Sequence, residues 1–151
     1  MHSSVAQTLE VVGEWWTMLI VRDAFFGVTR FDQFQQRLDI ARNILNQRLT
    51  RLVDEGVLDK VAYSDHPPRY DYRLTAKGRD LWPIMTAMRQ WGDKYAALEG
   101  RPIKLVHKKC GNVPQAVMTC SACGEPVSAS DVRAVPGPGD FDHLIPTKAA
   151  P

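Results

Sequence analysis

Residues 40–56 read IARNILNQRLTRLVDEG, and the architecture of the chain turns on what this stretch is. Leu45, Leu49 and Leu52 recur at intervals of four and three, the spacing that lines one face of an α-helix. Arg42, Arg48 and Arg51 lie on the same stretch and no acid appears before Asp54. With the leucines inward at about 100° per residue, Asn43, Gln47 and Thr50 point away from the core, with Asn46 and Arg51 on either side. One face is therefore apolar and the other basic and amide-rich.

Just upstream, Phe31, Phe34 and Leu38 predict a short helix, with Thr29 as N-cap and Asp32 three residues on as a weak capping box. Only Asp39 to Ala41 separate it from the arginine helix. Two short helices joined by so brief a turn are a helix-turn-helix. After Gly56 the period changes. VLDKVAY (57–63) and YDYRLT (70–75) alternate as strands do, and SDHPPR (64–69) is a proline-bearing loop, predicting a hairpin with a long tip.

Before the pair, Val5, Leu9 and Val12 predict a first helix broken by Gly13. EWWTMLIVRDAFFG (14–27) predicts a largely buried second one, closed by Gly27 at C′. Thr75 opens a long helix to about Leu98, expected to kink at Pro83. Its seam, Leu81, Ile84, Met88, Trp91, Tyr95 and Leu98, steps by three and four, as in a helix packed lengthwise on another.

The predicted fold is mainly α with a β-hairpin wing, a winged helix-turn-helix, plus a small C-terminal β zinc ribbon. The division is residues 1–100 for DNA binding and dimerisation, 101–133 for the ribbon-like extension, and 134–151 for a flexible tail poor in packing residues.

Bulk properties agree with a globular chain: 151 residues, 44% of them hydrophobic, and a net charge of +2. No apolar run approaches the ~18 residues of a membrane span. The start, MHSSVAQTLEVVGEWW, lacks a basic region and cleavage site of the secretory kind. A cytoplasmic protein without membrane contact is expected. Since net charge is mild, the local concentration of arginine on one helix carries the argument for nucleic acid.

Asparagine, glutamine and threonine can read base edges in the major groove. Asn43, Asn46, Gln47 and Thr50 are the candidates, while Arg42, Arg48 and Arg51 reach phosphates or guanine. At the wing, His66 and Arg69, with Lys60 at its base, are the expected contacts. A solvated helix face and plain loop-forming prolines are the bland alternatives.

VVGEWWTMLIVRDAFFGVTRFDQFQQRLDIARNILNQRLTRLVDEGVL, followed by YSDHPPRYDYRLTAKGRDLWPIMTAMRQWG, resembles the HxlR-type family of bacterial transcriptional regulators. The landmarks are Gly13, Trp16 and Thr17; Gly27, Arg30 and Phe31; Leu45, Arg48 and Leu49; and Gly56, Pro67, Tyr72, Leu74, Thr75, Gly78 and Trp91. The resemblance covers roughly Val5 to Tyr95. It implies a winged-helix homodimer related to the MarR type that binds a pseudo-palindromic operator in double-stranded DNA. Arg30 joins the DNA-binding set, and Leu81, Ile84, Met88, Trp91 and Tyr95 become the expected dimer interface. Two departures stand out. Ser3 occupies the place where the family often has a sensing cysteine, which argues against redox sensing by that route. Ala41 stands where the family tends to have serine, removing an N-cap.

All three cysteines fall in HKKCGNVPQAVMTCSAC (107–123). His107, Cys110, Cys120 and Cys123 have the spacing H-x2-C-x9-C-x2-C, two close pairs in the manner of a structural zinc site. Free thiols, or a redox Cys120–Cys123 pair, are the alternatives. No catalytic triad or paired carboxylates stand out, so no enzyme is expected. The other function class is a protein-interaction module without specific DNA readout. Trp15, Trp16, Trp82 and Trp91 belong either to the core or to a pocket for an unknown small-molecule effector.

Overall fold

The structure, a computed structural model, describes residues 3–97 and 99–139. Leu98 of the expected seam and residues 140–151 of the expected tail lie outside the described residues. The elements are α1 (Ser4–Val12), α2 (Trp15–Phe25), α3 (Phe31–Leu38), α4 (Arg42–Asp54), β1 (Leu58–Asp65), β2 (Pro68–Leu74), α5 (Ala76–Arg79), α6 (Trp82–Tyr95) and the 3-10 turn η1 (Ala129–Asp131). Helices α1 to α4 precede one antiparallel hairpin and α5 and α6 follow it, the winged helix-turn-helix arrangement.

The leucine stripe of α4 is the centre of the core. Leu45 and Leu52 are 0% exposed, and around them close Ile20 and Val21 of α2, Phe34 of α3, Ile40, Val57 and Leu58. Each such side chain contributes about 1.5–3 kcal/mol through burial, which is what holds a short helix pair at a fixed angle. The turn between α3 and α4 places Asp39 at φ 50°, a left-handed position that aspartate tolerates better than most residues. Buried Asp23 accepts from Arg22 (2.8 Å) and Arg37 (3.1 Å), tying α2 to α3.

The wing pairs Leu58 with Leu74 through to Asp65 with Pro68, with an irregularity between Ala62 and Ser64. Its tip is tighter than the sequence predicts: only His66 and Pro67 lie between the strands. Pro68 is accommodated because it is the first residue of its strand. A third segment joins the hairpin. Arg30 bridges Asp71, and the Tyr72 amide donates to the Thr29 carbonyl at 2.7 Å.

That pairing overturns the expected cap. Thr29 is drawn into strand-like contact with β2, and its hydroxyl donates to Asp71 (3.1 Å). Arg30 is the N-cap position of α3 instead, and the Gln33 side chain accepts from its amide at 3.3 Å.

The expected long, kinked helix is also two helices. Thr75 does cap the first, its hydroxyl accepting from the Gly78 amide at 3.0 Å, but the chain turns at Asp80 and Leu81. Pro83 sits in the first turn of α6, where its missing amide hydrogen has no partner to lose. The proline starts a helix rather than bending one. Gly78 is buried against the start of β1, where a Cβ would collide with the Val57 carbonyl oxygen.

Beyond α6 the character changes. The β ribbon expected for 101–133 is not built from paired strands. One isolated bridge, Thr119 to Pro126, and the η1 turn are its regular structure among the described residues. Within that range only Leu105, Cys120 and Val127 are even half-buried. The extension is attached to α6 by a reciprocal pair, Gln90 Nε2 donating to the Ala116 carbonyl (3.2 Å) and the Ala116 amide donating to Gln90 Oε1. Arg101 lies 4.0 Å from Asp93.

Candidate nucleic-acid interface

Asn43, Asn46, Gln47 and Thr50 are all exposed on α4, opposite its buried leucines. None is held by a side-chain hydrogen bond to another described residue, so their donors and acceptors are available to a partner. The arginines of this helix are not equivalent. Arg42 is exposed and lies over the Phe31 ring, 5.0 Å from its centre. Arg51 is ion-paired with Glu55 one turn on, at 2.7 Å. Arg48 is only 24% exposed and donates to Glu14 at the start of α2, at 3.0 Å. A helical wheel shows why: Arg48 lies roughly 140° from Asn43, nearer the leucine stripe than the polar face. Its guanidinium braces α4 against α2 through Glu14.

Three of the expected cations meet in one place, which the sequence did not foretell. Arg30, Arg42 and Arg69 line one polar cleft of about 530 Å³ with Phe31, Asp32, Tyr63, Pro68, Tyr70 and Tyr72. The cleft lies between the entrances of α3 and α4 and the wing. Aromatic rings steady the charges: Arg30 stands 4.4 Å over Tyr63, and Lys60 4.3 Å over Tyr70. A guanidinium or ammonium held on a ring keeps N–H groups free to donate outward. Tyr63 and Tyr70 line this cleft at positions that the strand pattern did not single out. His66 is exposed at the tip.

Asp71 aligns this assembly. Its carboxylate accepts from Arg73 (2.9 Å) and Thr29, with Arg30 at 3.7 Å. The Arg73 hydrogen bond, above all, holds its pKa below the ordinary carboxylate value; burial opposes this, while Thr29 and the charges of Arg73 and Arg30 add to it.

The residues of the expected dimer seam lie mainly on the surface. Ile84, Met88, Trp91 and Tyr95 are exposed, while Leu81 is half-buried against the core. Val5, Leu9, Val12, Trp15, Ile84 and Met88 line one apolar trough between α1 and α6. The tryptophans divide. Trp16 packs on the core, but Trp15, Trp82 and Trp91 are exposed, which corrects a core reading for those three. Trp82 contacts Phe25 edge-on at 5.1 Å. It also lines a cavity of about 310 Å³ with Met18, Leu19, Phe26 and Met85.

The cysteine segment forms two separate pairs. His107 Nδ1 lies 3.3 Å from Cys110 Sγ. The amides of Cys123 and Ala122 and the thiol of Cys123 hydrogen-bond to Cys120 and hold its thiol below the usual pKa, against a smaller effect of burial. Among the described residues, no three metal-ligating side chains converge on one point.

Comparison with known proteins accords with this architecture. The HxlR-like helix-turn-helix family matches residues 11–99. Rv3095 of Mycobacterium tuberculosis, named as an uncharacterized HTH-type transcriptional regulator, is 49% identical over 137 residues, 90% of this chain and 87% of that one. The crystal structure of PA1607, described as a candidate transcription factor, superposes with a TM-score of 0.79 at 43% identity, covering 89% of this chain and 94% of that one. PA1374 of Pseudomonas aeruginosa, described in the same way, gives 0.67 at 39% identity, covering 94% and 97%. The chain belongs to the HxlR-like helix-turn-helix family, whose named relatives are transcriptional regulators.

Proposed function

We propose that this protein is a cytoplasmic transcriptional regulator that binds a specific pseudo-palindromic operator as a homodimer, with residues 1–100 as the DNA-binding and dimerisation unit. The observation that carries the reading is the free amide face of α4 beside a cleft of three arginines. Asn43, Asn46, Gln47 and Thr50 are assigned to base edges in the major groove. Arg30, Arg42 and Arg69 are assigned to the phosphates that flank it, with His66 reaching the neighbouring backbone from the wing. Arg51 reaches phosphate by exchanging Glu55 for it. Arg48 positions α4 through Glu14. None of the helices is long and apolar enough to cross a membrane among the described residues.

Dimerisation is assigned to the apolar trough of α1 and α6. Val5, Leu9, Trp15, Met88 and Trp91 are each more than half exposed, and large apolar side chains gathered on one face mark an interaction surface. A two-fold axis through it presents two copies of α4 to successive major grooves, one or two turns apart.

Selection of bound sites from random duplex DNA tests the reading. It is expected to return an inverted repeat with half-sites about one or two helical turns apart, and Gln47→Ala should relax preference at one position of each half. Arg42→Ala should weaken binding to every sequence and flatten the salt slope by about 0.9 for each phosphate that is no longer neutralised. Selected sites without an inverted repeat would remove the dimeric model. Recovery of no preferred sequence at all would leave an interaction module as the better description.

A further inference from the structure

The two halves of the cysteine segment are the same turn made twice. In the first, the His107 amide donates to the Asn112 carbonyl at 2.8 Å and the Gly111 amide to the His107 carbonyl at 2.8 Å. In the second, the Cys120 amide donates to the Glu125 carbonyl at 2.8 Å and the Gly124 amide to the Cys120 carbonyl at 2.7 Å. Gly111 has φ 74° and Gly124 φ 78°, a left-handed position that glycine takes without steric cost. Each turn thus runs ligand, two residues, ligand, left-handed glycine, and folds so that its two ligand side chains lie side by side. Nothing in a solvated coil repeats a hydrogen-bond pattern in this way at the only positions where histidine and cysteine occur in the segment.

From this repeated geometry we infer that His107, Cys110, Cys120 and Cys123 bind one structural zinc ion, or a cation of like softness, as a Cys3His site. The His107 to Cys110 separation of 3.3 Å is close to the ~3.5 Å edge that a nitrogen and a sulfur ligand subtend on tetrahedral zinc. Nδ1 is the ligand atom, since it is the ring nitrogen facing the sulfur. Three thiols lose their protons to solvent on binding, and neutral imidazole completes the shell. Zn²⁺ with three thiolates carries one net negative charge, and Lys108 and Lys109, inside the first turn, offset it.

The metal also answers a structural need. The extension buries almost no apolar surface, so burial cannot offset the ordering of its backbone. Among the described residues no three of these ligands meet at one point; between the two turns runs an exposed stretch, residues 111–119, fastened to α6 at Ala116. The ion closes that stretch by drawing the second turn onto the first. Four ligands fill the shell and leave no open position, so the site is structural and not catalytic.

The full-length protein, prepared without a histidine tag, is freed of metal under reducing conditions and titrated with Zn²⁺ or Co²⁺. One ion per chain is expected, with Co²⁺ giving the intense thiolate charge-transfer and ligand-field bands of a four-coordinate site. Removal of metal should expose residues 111–119 to protease while leaving the winged helix folded. His107→Ala, Cys110→Ser, Cys120→Ser and Cys123→Ser should each lower affinity by more than the 10–100-fold that outer-shell changes cost. Unlike the operator reading, this outcome is read without DNA, so the two fail separately. Less than a tenth of an ion per chain at saturating metal, half an ion shared between two copies, or full affinity in His107→Ala would each overturn the site. A Cys120–Cys123 disulfide in protein purified under reducing conditions would do the same.

Discussion

The winged helix and the C-terminal extension are held together by different forces. In the first, twelve apolar side chains are buried, drawn from elements far apart along the chain. In the second, order resides mainly in short turns, Ser128 with Asp131, His107 with Asn112 and Cys120 with Glu125, with one isolated bridge from Thr119 to Pro126 and a fastening to Gln90 of α6. A domain built by burial tolerates change at any one turn but not in its core. A segment built from turns has no core to damage and depends on whatever joins the turns. One chain is thus cooperative in one part and modular in the other.

The contrast can be tested most severely in the core. Phe34→Ala should cost the winged helix about 3–5 kcal/mol, since Phe34 is 0% exposed. Val127→Ala, at one of the few half-buried positions of the extension, should leave the thermal midpoint of the winged helix unchanged. Circular dichroism melts of the two variants measure the difference. Equal losses would show that the extension is part of the same cooperative unit.

Two carboxylates, one in each region, probe the same contrast through charge. Asp71 is held below its ordinary pKa by Arg73 first, with burial opposing, and by Thr29 and Arg30; Asp131 is held down by Ser128, through its hydroxyl and its amide, against a smaller burial effect. A carboxylate depressed in the folded state stabilises it above the unfolded value of about 3.9. That contribution disappears as pH falls through the lower folded value. Asp71→Asn should therefore lower the winged-helix midpoint at pH 7, with the gap from the parent narrowing below about pH 4. Asp131→Asn should leave that midpoint unaltered at both neutral and acid pH. Melts on either side of that pH decide the matter, and a constant gap for Asp71→Asn would remove its charge from the account of the wing.

The smallest expected effect is at the entrance of α4. Ala41 occupies the N-cap in extended backbone, at φ −60° and ψ 137°, and offers no side chain to the helix amides. Ala41→Ser should stabilise the domain by about 1 kcal/mol, read as an upward shift of the melt. An unchanged midpoint would show that the neighbouring wing already limits the fraying of that end.

Much of the winged helix was legible because its signals are local. The intervals of Leu45, Leu49 and Leu52, the three-residue turn before Arg42, and the strand alternation after Gly56 each state a period within a dozen residues. Where local reading went astray, a long-range partner or a positional preference had intervened. Thr29 left the cap of α3 for Asp71. Pro83 opened α6 instead of kinking a longer helix. Trp15 and Trp91 follow helical spacing yet lie on the surface, because periodicity tells which residues share a face and not whether that face meets the same chain. In the extension, the spacing of histidine and cysteine disclosed the two turns, but not that no three of their ligands meet at one point among the described residues.

The order of elements from α1 to the wing, the leucine stripe that becomes the core, and the polar face opposite it are therefore written in the amino-acid order alone. They follow from backbone periods and turn chemistry that act over a few residues. Which charges remain free was settled by packing. Arg48 meets Glu14 across 34 residues and Thr29 meets Asp71 across 42, while Arg30, Arg42 and Arg69 meet around a single cleft. The physical reason is that a charge finds its partner through space, and no local pattern in the chain records a distance that only packing creates.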